Sequence, residues 1–197
     1  MDTNRQDELS MAAQEWLIPI SEGNITLSSA LQDLRACGDR QGDIPLLVQL
    51  VENPRFHTPG LDIFHGRVDL LAHDCIHILL GRGMLAKDEA FVIGFTMGST
   101  NRINATEEKL FSFIAQHFYP GVYRFSEDDI SVFRDALRLG FISHCIPLDR
   151  VDYDQFQGDT LSEVREKLGI EVDLLKAYYA IEARHYPNCP ESIRLLS

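Results

Sequence analysis

Apolar residues return at every third or fourth position through almost every segment of this chain, and the strict alternation of a half-buried strand is nearly absent. That repeat lines one face of a helix, and a helix can bury such a face only by packing against other helices. Start and stop signals then divide the chain. The first helix spans 7–17 and stops before Pro19; a second opens at Ser28 or Ser29 and runs to Gly38; a third, 43–53, lies between Asp43 and Pro54. A long central helix covers 58–81, with Gly81 or Gly83 as its stop, and the next covers 86–98. Asn104-x-x-Glu107 opens a helix that ends at Pro120, Ser126 caps 126–141, Thr160-x-x-Glu163 opens 161–170, and the last helix is 171–185. The expected architecture is all-α, an irregular bundle of about eight helices with no repeat period.

The 197 residues suit one domain, expected to cover 1–197, because no Pro/Gly/Ser-rich or low-complexity stretch marks a linker. A chain of this length buries about 70% of its unfolded surface, enough for an internal pocket. Thirty acidic against 18 basic residues give a formal charge of −12, which works against binding nucleic acid or an anionic lipid surface. No run reaches the roughly 18 apolar residues of a membrane span. The N-terminal stretch resembles neither a secretory signal nor an Arg-rich transit peptide. Cys37, Cys75, Cys145 and Cys189 are scattered without CxxC spacing, so neither a disulfide framework nor a thiolate zinc ribbon is expected. A cytoplasmic setting follows, with peripheral membrane attachment as a variant of it.

Against this ordinary background, residues 73-HDCIHILLGRGMLAKDE-89 carry four metal-capable side chains: His73, Asp74, His77 and Glu89. His73 and His77 are four apart, so on a helix their rings project from nearly one face, as in HExxH zinc helices. Asp74 lies about 100° around from His73 but three residues before His77, so it can join the ligands or steady a histidine from outside. The Gly81-Arg82-Gly83 reversal lets the next helix return and aim Glu89 at the pair. The set suits zinc or another divalent first-row metal. His65, Asp69, His73 and His77 recur every four residues as a polar seam, and Asp69 is placed to accept from the far nitrogen of His73. Two histidines and an aspartate inside LLAHDCIHILL need partners, since a buried polar group without one costs about 1–3 kcal/mol.

The string His-Asp-x-x-His, eleven residues, Glu resembles the signature of the coenzyme Q biosynthesis protein 4 family, falling on His73, Asp74, His77 and Glu89. The run 159-DTLSEVREKLGI-170 is similar to that family's Leu-x-Glu-x-Arg-x-x-Leu-x-Ile segment, through Leu161, Glu163, Arg165, Leu168 and Ile170. The resemblance implies an all-helical protein whose four signature residues bind zinc or a similar metal, beside a hydrophobic pocket for an isoprenoid quinone or its lipid precursor. It also implies a scaffold role in a biosynthetic complex, or a direct part in replacing a ring carboxylate by a hydroxyl, a lyase or oxidoreductase step. Phe91, Val92, Phe95 and Met97, following Glu89, form the apolar face suited to a prenyl tail. A homodimer is compatible with the resemblance, though no residue specifies one. The chain departs from the family in lacking a Gly-Leu-Pro-type turn after Glu89, where it reads GFTMGSTNR, and is expected to be a divergent or bacterial-type relative.

Three other readings compete. An HD-type phosphohydrolase would need His57 or His65 and Asp128 or Asp129 as additional ligands, and leaves the Glu89 spacing without a purpose. A di-iron bundle would use 182-EARH-185, but the chain has one such tetrapeptide where two are needed, and an exposed helix end is the simpler reading. A non-catalytic lipid-binding or scaffold protein with a structural metal would carry the same signature. Gly94-x-x-x-Gly98 is expected to mark close helix packing.

Overall fold

A computed structural model describes residues 15–37, 68–102 and 125–196. Among them are seven α-helices and no strand: α1 (Leu27–Ala36), α2 (Leu70–Leu80), α3 (Ala86–Ser99), α4 (Glu127–Ile142), α5 (Leu161–Leu168), α6 (Val172–His185) and the short α7 (Pro190–Ile193). Three 3-10 turns, Leu148–Arg150, Tyr153–Phe156 and Arg194–Leu196, complete the regular structure. The all-α expectation holds, and none of the described helices is long and apolar enough to cross a membrane. The helices expected at 43–53 and from Asn104 to Pro120 lie outside the described residues, as does most of 7–17.

The caps expected for α4 and α5 are in place. Ser126 Oγ and Thr160 Oγ1 accept from the backbone N–H groups of Asp129 and Glu163, and each carboxylate accepts in return from the cap residue's N–H, both at 2.8 Å. One expectation is corrected. The central helix does not run unbroken from 58: residues 68 and 69 are non-helical and α2 begins at Leu70. The cause is Asp69, whose extended backbone and short carboxylate make it an N-cap, its Oδ1 accepting from Ala72 N at 2.8 Å.

The core is one cluster of buried apolar side chains centred on α2 and α3. Helix α3 is buried almost all round, and it lies against α4 so closely that its glycines are required. A Cβ on Gly94 would stand 2.3 Å from the Phe133 carbonyl oxygen, and one on Gly98 2.1 Å from that of Leu137. Helix α1 packs Leu27, Ala30, Leu31 and Leu34 inward.

The buried C-terminus of α2 would leave carbonyls without donors. Arg165 of α5 supplies one for Leu79 O, its Nε donating at 2.9 Å, and adds Nη2 at 3.3 Å to Ile78 O, which also accepts from Gly81 N, while Nη1 ties in Ile20 O at 3.1 Å and Glu22 O. Tyr179 Oη of α6 donates to Leu80 O. A guanidinium at this helix end also meets the negative pole of the helix dipole. Helix α5 thus has a physical task, with Leu161, Leu168 and Ile170 buried around the clamp.

Candidate metal centre

Helix α2 is buried from His73 to Leu80, so its two histidines sit in the interior, 1% and 0% exposed. One turn apart, their ring centroids are 4.5 Å from each other with the planes at 63°. Gly81 ends the helix in the left-handed conformation at φ 66°, which the absence of a Cβ permits. The chain reverses and α3 begins at Ala86, its start fixed by Asp88 Oδ2 accepting from Leu85 N at 3.2 Å. Glu89 therefore stands in the first turn of α3, and its side chain is 15% exposed.

His73 Nε2 lies 3.2 Å and His77 Nε2 3.4 Å from the same oxygen, Glu89 Oε2. Neither approach has the geometry of a hydrogen bond, and both nitrogens are buried without another partner among the described residues. On the far side of the ring, His77 Nδ1 lies 2.7 Å from the Gly83 carbonyl oxygen. A carbonyl only accepts, so the neutral ring carries its proton on Nδ1 and keeps the Nε2 lone pair. Two imidazole nitrogens and a carboxylate oxygen thus converge, all within 4.8 Å of one another.

The donor set fits a metal on distance as well as type. Ligands held about 2.0–2.1 Å from a tetrahedral ion are separated by about 3.3 Å, which is the spacing from each histidine to Glu89. A divalent ion at the point of convergence would satisfy buried nitrogens that nothing else among the described residues satisfies, and the three ligands found there leave a fourth position. Burial raises the carboxyl of Glu89, but the charges of the neighbouring imidazoles outweigh it and hold the group well below the ordinary carboxylate range. Burial likewise opposes charge on His77, and the Glu89 carboxylate reverses the balance and raises it.

Of the sequence candidates, the structure brings together His73, His77 and Glu89. Asp74 is not in the group, although it is buried on the same helix and its charge adds to the raising of His77. Asp69 is not an outer partner of His73: its carboxylate caps α2, and His73 Nδ1 has no hydrogen bond. Phe91, Val92, Phe95 and Met97 are core residues, 0–3% exposed. The Phe91 ring is taken up by Arg82, whose guanidinium carbon lies 3.9 Å from its centroid, and by Tyr178 and Tyr179 at 5.4 and 5.3 Å. Of the extra ligands of the phosphohydrolase reading, the described candidates Asp128 and Asp129 do not join the group. Asp128 is exposed, Asp129 pairs with Lys87 at 3.2 Å and caps α4, and His57 and His65 lie outside the described residues.

Sequence reasoning missed a charged network behind the site. Arg82, in the turn between the two ligand-bearing helices, is fully buried and paired with Glu182 through both carboxylate oxygens, at 3.1 and 2.5 Å. Its Nη1 lies 3.8 Å from Asp88, whose other oxygen accepts from Arg194 at 2.6 Å. Glu182 is thus no exposed helix end, although His185 of the same tetrapeptide is exposed. The signal was present: Leu175, Tyr178, Tyr179 and Glu182 fall at i, i+3, i+4 and i+7, so the apolar stripe itself carries Glu182 inward.

Comparison with protein-family models, with curated proteins and with solved structures finds no match to this chain.

Proposed function

We propose that this protein holds one divalent metal ion, zinc being the best suited, through His73, His77 and Glu89, and that it serves quinone biosynthesis in the manner of the coenzyme Q biosynthesis protein 4 family. The observation that carries the metal reading is the convergence of two buried, otherwise unpartnered Nε2 atoms on one carboxylate oxygen. The quinone reading rests on the resemblance of residues 73–89 and 159–170 to that family. Its support is that both stretches have work in one place: the first supplies the ligand set, and Arg165 of the second clamps the end of the helix bearing both histidines.

The chain's own residues bind and orient. His77 is held in one tautomer by Gly83, Glu89 is kept ionised, and the buried histidines keep water from their side of the site. When bound, the ion supplies Lewis acidity toward a ring carboxylate or phenolate oxygen. The exposed edge at Glu89 is where a prenylated quinone precursor or other lipid would approach. Phe91 and Phe95 support α3 from within the core beneath that edge.

The test is elemental analysis, with mass spectrometry for lipids, on protein purified without chelator. One equivalent of zinc or a similar ion together with a co-purified isoprenoid is expected. Absence of metal overturns the metal reading, whereas metal without any isoprenoid, and without restoration of quinone synthesis in a deficient strain, overturns the quinone reading. A His73→Ala variant that keeps its fold but loses that restoration assigns the metal to function; one that fails to fold assigns it to structure.

A further inference from the structure

The geometry points to Arg194 as a positioning residue that holds two ligands of the metal centre in place at once, one from each ligand-bearing helix; the inference rests on reading His73, His77 and Glu89 as that centre. Arg194 lies in the 3-10 turn after α7, far along the chain from the site. Its Nη2 donates to Asp88 Oδ2 at 2.6 Å. Asp88 is fully buried, directly precedes Glu89, and with the same oxygen fixes the first turn of α3 through Leu85 N. The guanidinium thereby anchors the turn from which Glu89 projects.

The same nitrogen lies against the other ligand's support. A Cβ on Gly83 would stand 2.1 Å from Arg194 Nη2 and 2.8 Å from the Trp16 carbonyl oxygen, so both pack against the face of Gly83 that a side chain would occupy. The guanidinium thus packs directly on Gly83, whose carbonyl is the group that orients His77. Arg194 is itself held: Leu195 is fully buried, and Ser192 Oγ donates at 2.9 Å to Glu182, the partner of Arg82. A guanidinium fits this place because it is planar enough to lie on a glycine while one edge meets a carboxylate. Removing it frees the Gly83 loop and leaves Arg82, at 3.8 Å, as the remaining cation beside Asp88 among the described residues.

The test uses the full chain, wild type and the variants Arg194→Met, Arg194→Lys and, as a surface control, Arg138→Met. The readouts are metal affinity by chelator competition, the visible spectrum of the cobalt-loaded protein, and melting of the metal-free form. Loss of an outer partner of a ligand typically weakens metal binding by about ten- to hundred-fold. That loss is expected for Arg194→Met, with a shifted cobalt spectrum. Arg194→Lys should fold, bind with intermediate affinity and show a smaller shift, while the control matches wild type. A folded Arg194→Met with wild-type affinity and spectrum overturns the inference alone, as does an Arg194→Met that fails to fold beside an Arg194→Lys of wild-type affinity and spectrum. A wild-type chain that binds no metal overturns the metal reading, and the inference with it.

Discussion

His77 Nδ1 and the Gly83 carbonyl oxygen are 2.7 Å apart, and that one contact gives the neutral ring its tautomer and aims its lone pair at the point shared with His73 and Glu89. The contact depends on the Gly81-Arg82-Gly83 reversal, because the chain must leave α2 and come back under its own last turn to present that carbonyl. A site of this kind is assembled by the end of one helix and the start of the next, with the turn as an active part of it.

Metal should stabilise the fold through these three side chains. A ligand at about a thousand times its dissociation constant adds about 4 kcal/mol, so chelator should lower the melting temperature by several degrees and zinc should restore it. In Glu89→Gln the oxygen remains but its charge is gone, and the zinc-dependent rise should shrink to a small fraction. Differential scanning calorimetry with and without chelator measures both. An equal rise in wild type and Glu89→Gln would remove Glu89 from the centre.

Acidification should release the metal. His77 is raised above its ordinary value of 6.5 despite burial, because the Glu89 carboxylate faces it. In the metal-free chain the charged ring contributes stability that is fully present below pH 6.5 and lost as pH rises through the raised value. Glu89, lowered from 4.5, contributes stability that is present above that value and lost as pH falls through its folded one. Metal needs the neutral ring, so its affinity runs opposite to the His77 contribution and should climb with pH. Cobalt titrations at about pH 6 and pH 8 should differ by at least about tenfold, with proton release on binding at the lower pH. A pH-independent affinity would exclude imidazole ligation.

Much of this was legible in residues because each signal has a local cause. The starts of α4 and α5 are written in Ser126 with Asp129 and Thr160 with Glu163, pairs that act within one turn. His73, His77 and Glu89 are legible for the same reason, being four residues apart on one helix and one short reversal away. Asp69 was misread because two local roles compete. As a member of the four-residue seam it is read toward His73, but as a short carboxylate before LLAHD it caps α2. The partners Arg194 and Glu182 were not legible as partners, since nothing local to residues 73–89 says which distant group will meet them. Glu182 and Arg165 nevertheless advertise burial, each lying on the apolar stripe of its helix.

Arg165 should matter to stability out of proportion to its place on a surface-length helix. It satisfies four backbone carbonyls, two at the end of α2 and two in the segment around Ile20. Arg165→Met keeps much of the apolar stem and Ile78 O keeps the Gly81 N–H, but Leu79 O, Ile20 O and Glu22 O lose this donor, each at a cost of about 1–3 kcal/mol where it stays buried. A net loss of about 3 kcal/mol or more is expected in urea unfolding. A loss below about 1 kcal/mol would mean that water replaces the guanidinium at the end of α2.

The Arg82 and Glu182 pair is the sharpest test of the buried network. Both side chains are fully enclosed, and Arg82 is also stacked between Phe91 and Tyr179, at 3.9 and 4.4 Å from their ring centroids. Removing one partner strands the other's charge in the interior, which costs about 3–5 kcal/mol. Glu182→Leu should therefore destabilise strongly. The double variant Arg82→Met, Glu182→Leu exchanges the pair for apolar side chains of similar length and should recover much of the loss, since a buried ion pair offers little net stability over a packed apolar one. Asp88 limits the recovery. Burial already raises its carboxyl, with Arg82 and Arg194 opposing that rise, so losing Arg82 leaves Arg194 as its counter-charge among the described residues and pushes it further up. Unfolding free energies of the two single variants and the double, combined as a thermodynamic cycle, measure the coupling. A coupling near zero would show that the two charges are not each other's partners in solution.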